Sequence, residues 1–363
     1  MRILHIITTL QTGGAEKLMV DLLPRMKGRG HTVELLLIDG TRTPFYEQLE
    51  QKGVTIHSLG TGGGIYSVVK LVKMVLFLRK HRYDIVHTHN TASQLFAAMA
   101  AKVLCSVVLC TTEHNTSNRR RDLKWYAPFD KWMYRQYKAV ICISDQAESN
   151  LRKYLNSAKY PICTIYNGID VNLFANAEPD KVLLNEKGDK KAIVMVAGFR
   201  YQKDQETLIR AMKLLPNEYE LWLVGDGERR AVLLSLAEEE GVTEKVKFLG
   251  LRSDVPNVLK AADIVVMSSH FEGLSLSNLE GMASGRPFIA SDVDGLREIV
   301  KGYGALFPHG DEKSLAAEVQ KLMADKEYYN KVAAQCSKRA SDFDISKMVE
   351  GYLNVYKSIL KRP

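Results

Sequence analysis

The sequence lacks any long uncharged apolar run. Its longest apolar stretches, such as IVMVAG, fall well short of the roughly 18 residues that a membrane span needs. The opening run, MRILHIITTL, is too short and too lightly charged for a signal peptide, and it is typical of a buried strand. We therefore expect neither a membrane-spanning segment nor a secretory leader.

Cysteines are few, odd in number and scattered. None of the five belongs to a Cys-x-x-Cys motif or to a Cys/His cluster, which argues against a disulfide framework and a structural zinc site. We expect reduced thiols, as in a cytoplasmic protein, at Cys105, Cys110, Cys142, Cys163 and Cys336.

The formal net charge of +8 is unevenly distributed. Residues 1–170 hold 23 Lys and Arg against 13 Asp and Glu, whereas residues 171–363 hold 27 against 29. A basic part followed by a slightly acidic part indicates two domains with different partners. No motif that reads nucleic acid is present, so we expect no nucleic-acid partner.

One segment of the basic part, KLVKMVLFLRKHR, combines apolar and basic residues at helical spacing. Such a helix can bind an anionic membrane surface. It can equally pack on the core and leave a basic face in solvent. The apolar residues at this spacing are Leu71, Met74, Val75 and Leu78, which would contact the membrane in the first case and the core in the second.

Strand and helix patterns alternate along the whole chain, without a longer internal repeat. Continuous Val/Ile/Leu runs suit parallel strands that are covered on both faces, so we expect doubly wound α/β domains. The boundary is expected near NGIDVNLF (167–174). The predicted helices span 15–28, 44–52, 66–82, 92–103, 122–137, 145–155, 204–215, 226–240, 254–261, 276–284, 295–301 and 311–325, with a last one at the C-terminus.

A glycine-rich turn follows the first predicted strand, in ITTLQTGGAEKLMVDLL. Gly13 and Gly14 would let a ligand approach the backbone, and the helix start offers amides to a phosphate. The spacing matches neither the dinucleotide fingerprint nor the P-loop, so an ordinary strand–helix turn explains it equally well.

Histidines follow two strands of the same half. The HTHN motif contains His87 and His89, and EHN contains His114 and Asn115. A strand-end imidazole can hydrogen-bond sugar hydroxyls or a reacting group, although a core histidine fits the same pattern. No acidic ligand repeats at metal spacing, so we predict no metal site here.

Cations follow strands of the second half. VAGFRYQKDQETLIRAM presents Arg200 and Lys203 just before a helix start, which predicts a diphosphate site, with ordinary surface charge as the alternative. Gly225 belongs to an incomplete glycine fingerprint, LVGDGERR. Arg252 follows a further strand, where it could meet a base or a phosphate.

The segment HFEGLSLSNLEGMASG (270–285) places Glu272 and Glu280 among small residues that leave room for a ligand. For Glu280 a second interpretation stands, because Ser277-x-x-Glu280 fits a helix capping box. Two D-x-D patterns, at 292–294 and 342–344, could be mistaken for metal motifs. We interpret them as a turn before a helix and as a helix-start signal.

Together, GG, HTHN, ICIS and YNGID, followed by FRYQKDQETLI, VGDG, FLGLRSDV and E-x7-E, resemble the retaining glycosyltransferases of family 4, such as those of bacterial polysaccharide and lipopolysaccharide biosynthesis. The resemblance covers essentially the whole chain. It implies the GT-B fold, with two Rossmann-like doubly wound domains facing a cleft. The acceptor-binding domain would be 1–170, joined by the C-terminal helix 346–363, and the nucleotide-sugar-binding domain would be 171–345.

The resemblance also implies roles for single residues. Glu272 would contact the transferred sugar, Glu280 the donor ribose, and His89 the sugar's reacting face. The family's arginine position holds Gly198 here, so Lys203 is a firmer match than Arg200. The donor-binding set is Gly14, Arg200, Lys203, Gly225, Arg252, Gly273, Leu274, Ser275 and Glu280, and the acceptor-side candidates are His87, His114 and Asn115.

The function implied is a hexosyltransferase that uses a nucleoside diphosphate sugar, with uridine the expected base, and retains the anomeric configuration. Its acceptor would be a glycan or a lipid-linked precursor in cell-surface polysaccharide synthesis. No metal or other cofactor is expected, because cations and helix amides can stabilise the leaving diphosphate. We expect a cytoplasmic enzyme, peripheral at the inner membrane face. The alternatives are a nucleotide-sugar epimerase on this scaffold and a non-catalytic binding protein.

Overall fold

The computed structural model of the protein describes residues 1–11, 13–104, 107–115, 118–123, 125–156 and 160–361. Cys105, one of the expected thiols, lies outside the described residues. The chain forms two compact units, Met1–Asn167 with Ile345–Pro363 and Gly168–Asp344. These bounds lie close to the domain limits expected from the sequence. No helix in the described ranges is long and apolar enough to cross a membrane.

Each unit is built on one parallel sheet. The first unit contains strands β1 (Arg2–Ile7), β2 (Thr32–Leu37), β3 (Thr55–Ser58), β4 (Ile85–His89), β5 (Leu109–Glu113), β6 (Ala139–Cys142) and β7 (Ile162–Thr164). The second contains β8 (Lys191–Val196), β9 (Tyr219–Val224), β10 (Val246–Gly250), β11 (Ile264–Met267), β12 (Phe288–Ser291) and β13 (Ala305–Phe307). This confirms the parallel strands that the continuous Val/Ile/Leu runs predicted in both halves of the chain.

The helices lie between the strands in chain order, except the last three, which follow β13. They are α1 (Gly14–Gly28), α2 (Pro44–Gln51), α3 (Val68–Lys80), α4 (Thr91–Leu104), α5 (Ala127–Tyr134), α6 (Asp145–Leu155), α7 (Val171–Ala175), α8 (Lys181–Lys187), α9 (Gln205–Leu214), α10 (Arg230–Glu239), α11 (Val255–Ala261), α12 (Leu276–Ala283), α13 (Arg297–Val300), α14 (Glu312–Ala324), α15 (Lys326–Ala340) and α16 (Ile345–Leu360). The sequence interpretation missed α7, α8 and α15.

The sheet orders are β3-β2-β1-β4-β5-β6-β7 and β10-β9-β8-β11-β12-β13. In each sheet the order reverses once, between β1 and β4 and between β8 and β11. Successive residues of β1 pack on opposite faces, Ile3 in one apolar cluster and Leu4 in another. This two-sided burial explains why the strands are apolar runs without alternation.

Two predicted helices are shorter than expected for identifiable reasons. The helix predicted over 122–137 begins at Ala127, because Pro128 is tolerated only in the first turn of a helix. The helix predicted over 226–240 begins at Arg230, because Gly225 and Gly227 have positive φ angles of 140° and 159°.

The C-terminal helix α16 packs in the first unit, as the sequence predicted. Val349, Tyr352 and Tyr356 are fully buried and share an apolar cluster with Ile3 and Ile7 of β1. The helix therefore completes the core of the first unit.

Candidate active site

Two loops of the second unit leave the sheet where its strand order reverses. The loop after β8 carries Arg200 and Lys203, and the loop after the adjacent strand β11 carries Glu272. In open parallel sheets, ligands bind outside the carboxyl ends of the strands at such a point. The structure therefore brings together residues of two separate predicted motifs.

Lys203 and Glu272 form the charged centre of these loops. The Lys203 ammonium donates a hydrogen bond to Oε1 of Glu272, which also accepts one from the Ser269 hydroxyl at 2.6 Å. Only 4% of the Glu272 side chain and 16% of the Lys203 side chain are exposed. Separating so buried a pair would leave two uncompensated charges, which is energetically costly. The contact therefore fixes the position of both side chains.

Arg200 lies on the exposed side of the same loop. A Cβ placed on Gly198 would be 3.9 Å from Nε of Arg200. The guanidinium therefore reaches the neighbourhood of position 198, although the arginine lies two residues later than in the family pattern.

Gly295 lies against the backbone of the loop that carries Glu272. The sequence interpretation did not identify this role. Its φ angle is 86°, and a Cβ at this position would lie 2.2 Å from the carbonyl oxygen of Glu272. The turn before α13 and the Glu272 loop can approach this closely only because the residue is glycine.

Glu280 is buried in α12, and the capping-box interpretation is wrong in the form proposed. The helix begins at Leu276 with Ser275 as N-cap, so Ser277 lies inside the helix and cannot be the cap. The backbone amide of Ser275, one of the donor-binding candidates, is engaged within the protein, because it donates to the Gly273 carbonyl at 3.1 Å. Leu274, beside them, is buried.

Gly225 has a structural role that differs from the expected ligand contact. It is buried, and a Cβ there would lie 2.1 Å from the Ala197 carbonyl oxygen. A Cβ at Gly227 would likewise lie 2.5 Å from the Phe199 carbonyl oxygen. These glycines let the loop after β9 pack against the loop that carries Arg200.

Arg252 is neutralised by two carboxylates, which corrects its expected role with the donor. Its guanidinium donates to Asp254 at 2.5 and 2.7 Å and to Asp180 at 2.5 Å. These hydrogen bonds raise the pKa of Arg252 above its usual value, and they leave its charge compensated within the protein.

The first D-x-D pattern forms a turn in which Arg297 pairs with Asp292 at 2.5 Å and Asp294 at 3.1 Å. The second ends at Asp344, directly before the first residue of α16, Ile345. Both patterns have the local structural roles that the sequence predicted.

In the first unit, His89 is fully buried and contacts two other imidazoles. Its Nε2 lies 2.9 Å from Nδ1 of His5, and its Nδ1 lies 2.9 Å from Nε2 of His114. Direct contact between His89 and a sugar, as expected from the sequence, does not fit this burial. His114 is the member of this imidazole chain with exposed surface, and Asn115 beside it is exposed.

His87 is a core residue, which corrects its place among the acceptor-side candidates. Its Nδ1 contacts the Tyr356 hydroxyl of α16, and its Nε2 lies 2.8 Å from the Thr112 hydroxyl. The nitrogens of His87 thus point to separate partners and not toward a common centre with His5 and His89, although the ligand atoms of these three residues lie within 4.8 Å of one another. This geometry disfavours a metal among them.

Burial keeps the imidazole chain neutral. It lowers the pKa of His5 to about 3 and of His114 to about 4, and the pKa of His89 also lies well below its ordinary value. The buried Nε2 of His5 has no hydrogen-bond partner among the described residues, and a buried unpaired N–H is rarer than an unpaired acceptor. We therefore place the His5 proton on Nδ1, and the hydrogen bonds through His89 then place the His114 proton on its Nδ1.

Gly14 is the first residue of α1, after an N-cap, Gly13, that provides no side-chain hydrogen bond. Gly14 is exposed, and no atom lies within 4 Å of a Cβ placed there. The start of α1 is therefore open to a ligand that approaches its backbone amides.

Comparison with known proteins assigns both halves of the chain. Residues 177–341 match the glycosyl transferases group 1 family, and residues 12–173 match glycosyltransferase family 4. EpsD of Bacillus subtilis, named as a glycosyltransferase, is 30% identical over 298 residues, 77% of this chain and 78% of EpsD. The Escherichia coli UDP-Gal:alpha-D-GlcNAc-diphosphoundecaprenol alpha-1,3-galactosyltransferase is 27% identical over 310 residues, 80% of each chain.

A solved structure shows the same fold. Alr3699/HepE of Anabaena, in complex with UDP-glucose, superposes with a TM-score of 0.85 at 22% identity and covers 99% of this chain and 100% of HepE. None of these matches supports the epimerase alternative. The chain belongs to the group 1 and family 4 glycosyltransferases and has their GT-B fold.

Proposed function

We propose that the protein transfers a hexose from a UDP-sugar, with retention of anomeric configuration and without a catalytic metal, to a glycan or lipid-linked acceptor in cell-surface polysaccharide synthesis. The observation that carries this proposal is the Lys203–Glu272 pair at the reversal point of the second sheet. The HepE complexes with UDP and with UDP-glucose support uridine as the base.

The pair offers complementary groups to the two ends of the breaking bond. Departure of the diphosphate develops negative charge, which the Lys203 ammonium and the nearby Arg200 guanidinium stabilise in place of a metal. The Glu272 carboxylate accepts hydrogen bonds from sugar hydroxyls. Glu280 contacts the ribose, from its buried position in the middle of α12.

Retention is proposed from the family resemblance, and the way Glu272 is held bears only on its mechanism. A carboxylate that already accepts hydrogen bonds from Lys203 and Ser269 is a poor nucleophile, which disfavours a covalent glycosyl-enzyme. Front-face attack needs no such nucleophile, because the leaving phosphate takes the acceptor proton.

In the first unit, we assign the acceptor-side imidazole to His114, with Asn115 beside it. His89 and His5 act as positioning residues that fix the tautomer of His114 through their hydrogen bonds. Gly14 provides an open backbone at the start of α1.

A lipid-linked acceptor is supported by the name of the E. coli relative, which specifies a diphosphoundecaprenol substrate. It is also supported by helix α3. Met74 and Leu78 pack in the core, so the apolar side named from the sequence is not available to a membrane. The opposite side is not purely basic, because Val69, Val72 and Leu76 are each more than half exposed. With Lys80 on the same face, this pattern suits an anionic membrane surface at which the enzyme works on the cytoplasmic side.

The double substitution Val69→Glu/Leu76→Glu is expected to lower binding to vesicles that contain anionic phospholipid by at least about tenfold, since each apolar side chain contributes about 1.5–3 kcal/mol when buried. Co-sedimentation at low and high salt measures this. Val232→Glu, at an exposed valine of α10, is the matched control and should bind as the wild type does. Equal binding of the double variant would contradict the proposed membrane face.

A panel of nucleotide sugars tests the function itself. UDP-sugars should raise the unfolding temperature more than GDP-sugars, because a ligand that binds only the native state stabilises it by mass action. UDP release should then require an acceptor, and NMR of the product should show the donor's anomeric configuration. Release without acceptor, or an inverted product, would count against the proposal.

A further inference from the structure

A second cluster of ionisable side chains lies in the second unit, next to the Lys203–Glu272 pair but separate from it. It consists of Asp204, His270 and His309, whose ligand atoms lie within 4.8 Å of one another. They come from three loops: Asp204 precedes α9, His270 follows β11, and His309 lies between β13 and α14. Neither the family resemblance nor the proposed transfer chemistry uses this cluster.

The ligand atoms of the cluster lie close together, with the two imidazoles within hydrogen-bonding distance. Nδ1 of His270 lies 2.6 Å from Nε2 of His309 and 3.7 Å from Oδ2 of Asp204. The two imidazole planes are nearly perpendicular, at 85°. Zinc binds nitrogen and oxygen at about 2.0–2.2 Å, which in a tetrahedron places ligand atoms about 3.3 Å apart. The two distances from His270 Nδ1 differ from that spacing by less than 1 Å.

The carboxylate of Asp204 is already oriented. Only 3% of its side chain is exposed, and it accepts hydrogen bonds from the Thr207 amide at 3.3 Å and the Thr207 hydroxyl at 2.7 Å. Partners of this kind fix the direction of a metal-bound carboxylate. Asp204 also adopts a left-handed backbone, with φ of 48°, in a position that L-residues rarely occupy.

We propose that Asp204, His270 and His309 bind a divalent transition-metal ion of the class that imidazole and carboxylate ligands hold, with Zn²⁺ as the representative ion. Three protein ligands leave one coordination position open. The ion takes no part in the transfer step, and the proposal does not depend on the donor's identity.

Metal binding would link loops of the second unit to one another. Asp204 follows Lys203 directly, and His270 lies two residues before Glu272. An ion on these ligands would tie the two loops of the candidate active site to each other and to the loop after β13. We therefore expect metal binding to stabilise the fold of this region.

The test uses the full-length chain, stripped of metal with a chelator and titrated with ZnCl₂ alone in competition with a chromophoric chelator. The wild type should bind one Zn²⁺ at this site, and its unfolding temperature should rise with zinc. Loss of a ligand in His309→Gln should weaken zinc binding by at least about tenfold, because even an outer-shell partner is worth 10–100-fold in metal affinity. Asp204→Asn, which keeps an acceptor for the α9 cap, should weaken it similarly.

His31→Gln, at a partly exposed histidine of the first unit, is the control and should bind zinc like the wild type. Co²⁺ should give the visible absorption of a four-coordinate site in the wild type but not in His309→Gln. No zinc-dependent change in the wild type, or equal binding by His309→Gln, would overturn the proposal. UDP binding, measured separately by calorimetry, distinguishes failure of the metal site from failure of the proposed function.

Discussion

Replacement of Glu272 by glutamine is expected to lower kcat/KM for sugar transfer by at least about 100-fold, or about 2.7 kcal/mol of transition-state stabilisation. Glutamine is nearly isosteric and can still accept the Ser269 hydrogen bond, so the loop should keep its shape. It removes the negative charge that orients Lys203 and that attracts the sugar hydroxyls as positive charge develops on the ring. Steady-state kinetics with a UDP-sugar and a lipid-linked acceptor measure the change.

Glu239→Gln, at an exposed carboxylate of α10 in the same unit, is the matched control and should retain wild-type kinetics. The unfolding temperature of Glu272→Gln should also be measured, because the substitution alters a buried pair. A folded Glu272→Gln enzyme with near-normal kcat/KM would show that Glu272 does not act on the transferred sugar.

Gly295→Ala is expected to cost about 1–3 kcal/mol of stability and at least about 100-fold in activity. The new Cβ would lie 2.2 Å from the Glu272 carbonyl oxygen and 2.7 Å from its carbonyl carbon, so the Glu272 backbone must move. A displacement near 1 Å is enough to misplace a group that acts on the reacting bond.

Gly302→Ala separates the two causes of this effect. Gly302 has a φ of 84°, close to the 86° of Gly295, but a Cβ there meets no atom within 4 Å. The control should therefore lose stability from backbone strain while retaining activity. Equal activity loss in both variants would mean that strain, and not displacement of Glu272, is responsible.

The strands and the two-domain organisation could be predicted because they depend on local composition. Parallel strands are continuous apolar runs, and each is followed by its own helix. The helix α15 was missed because it follows α14 almost directly, with no intervening strand. Its start is marked only by Asp325, whose carboxylate accepts the Tyr328 amide at 2.9 Å.

The identity of the site residues could be predicted where they belong to sequence motifs, but their contacts could not. Lys203 and Glu272 could be named from sequence, but their direct contact depends on the adjacency of β8 and β11, which are far apart in the chain. Glycine at 295 looked like an ordinary turn residue, since nothing local reveals which carbonyl it faces.

Two residues were given the wrong role because their ion-pair partners and their burial cannot be read from the sequence. Arg252 looks like a cation available to a phosphate until Asp180 and Asp254 are seen beside it. His89 looks like an exposed strand-end residue, yet β1 brings His5 alongside it. The contact between His5 and His89 could not be predicted from an alternation of polar and apolar residues along β1, because both faces of that strand are buried.

The most direct test of the central claim, that the second unit holds the donor diphosphate at Lys203, is a calorimetric titration of UDP into the wild type and Lys203→Met. We predict that UDP binds the wild type and that Lys203→Met, shown to be folded by its unfolding transition, binds about 10- to 100-fold more weakly, the loss of one charge-assisted hydrogen bond. Lys213→Met, at an exposed lysine of α9, should bind UDP like the wild type. Unchanged UDP affinity in Lys203→Met, or no UDP binding by the wild type, would contradict the account.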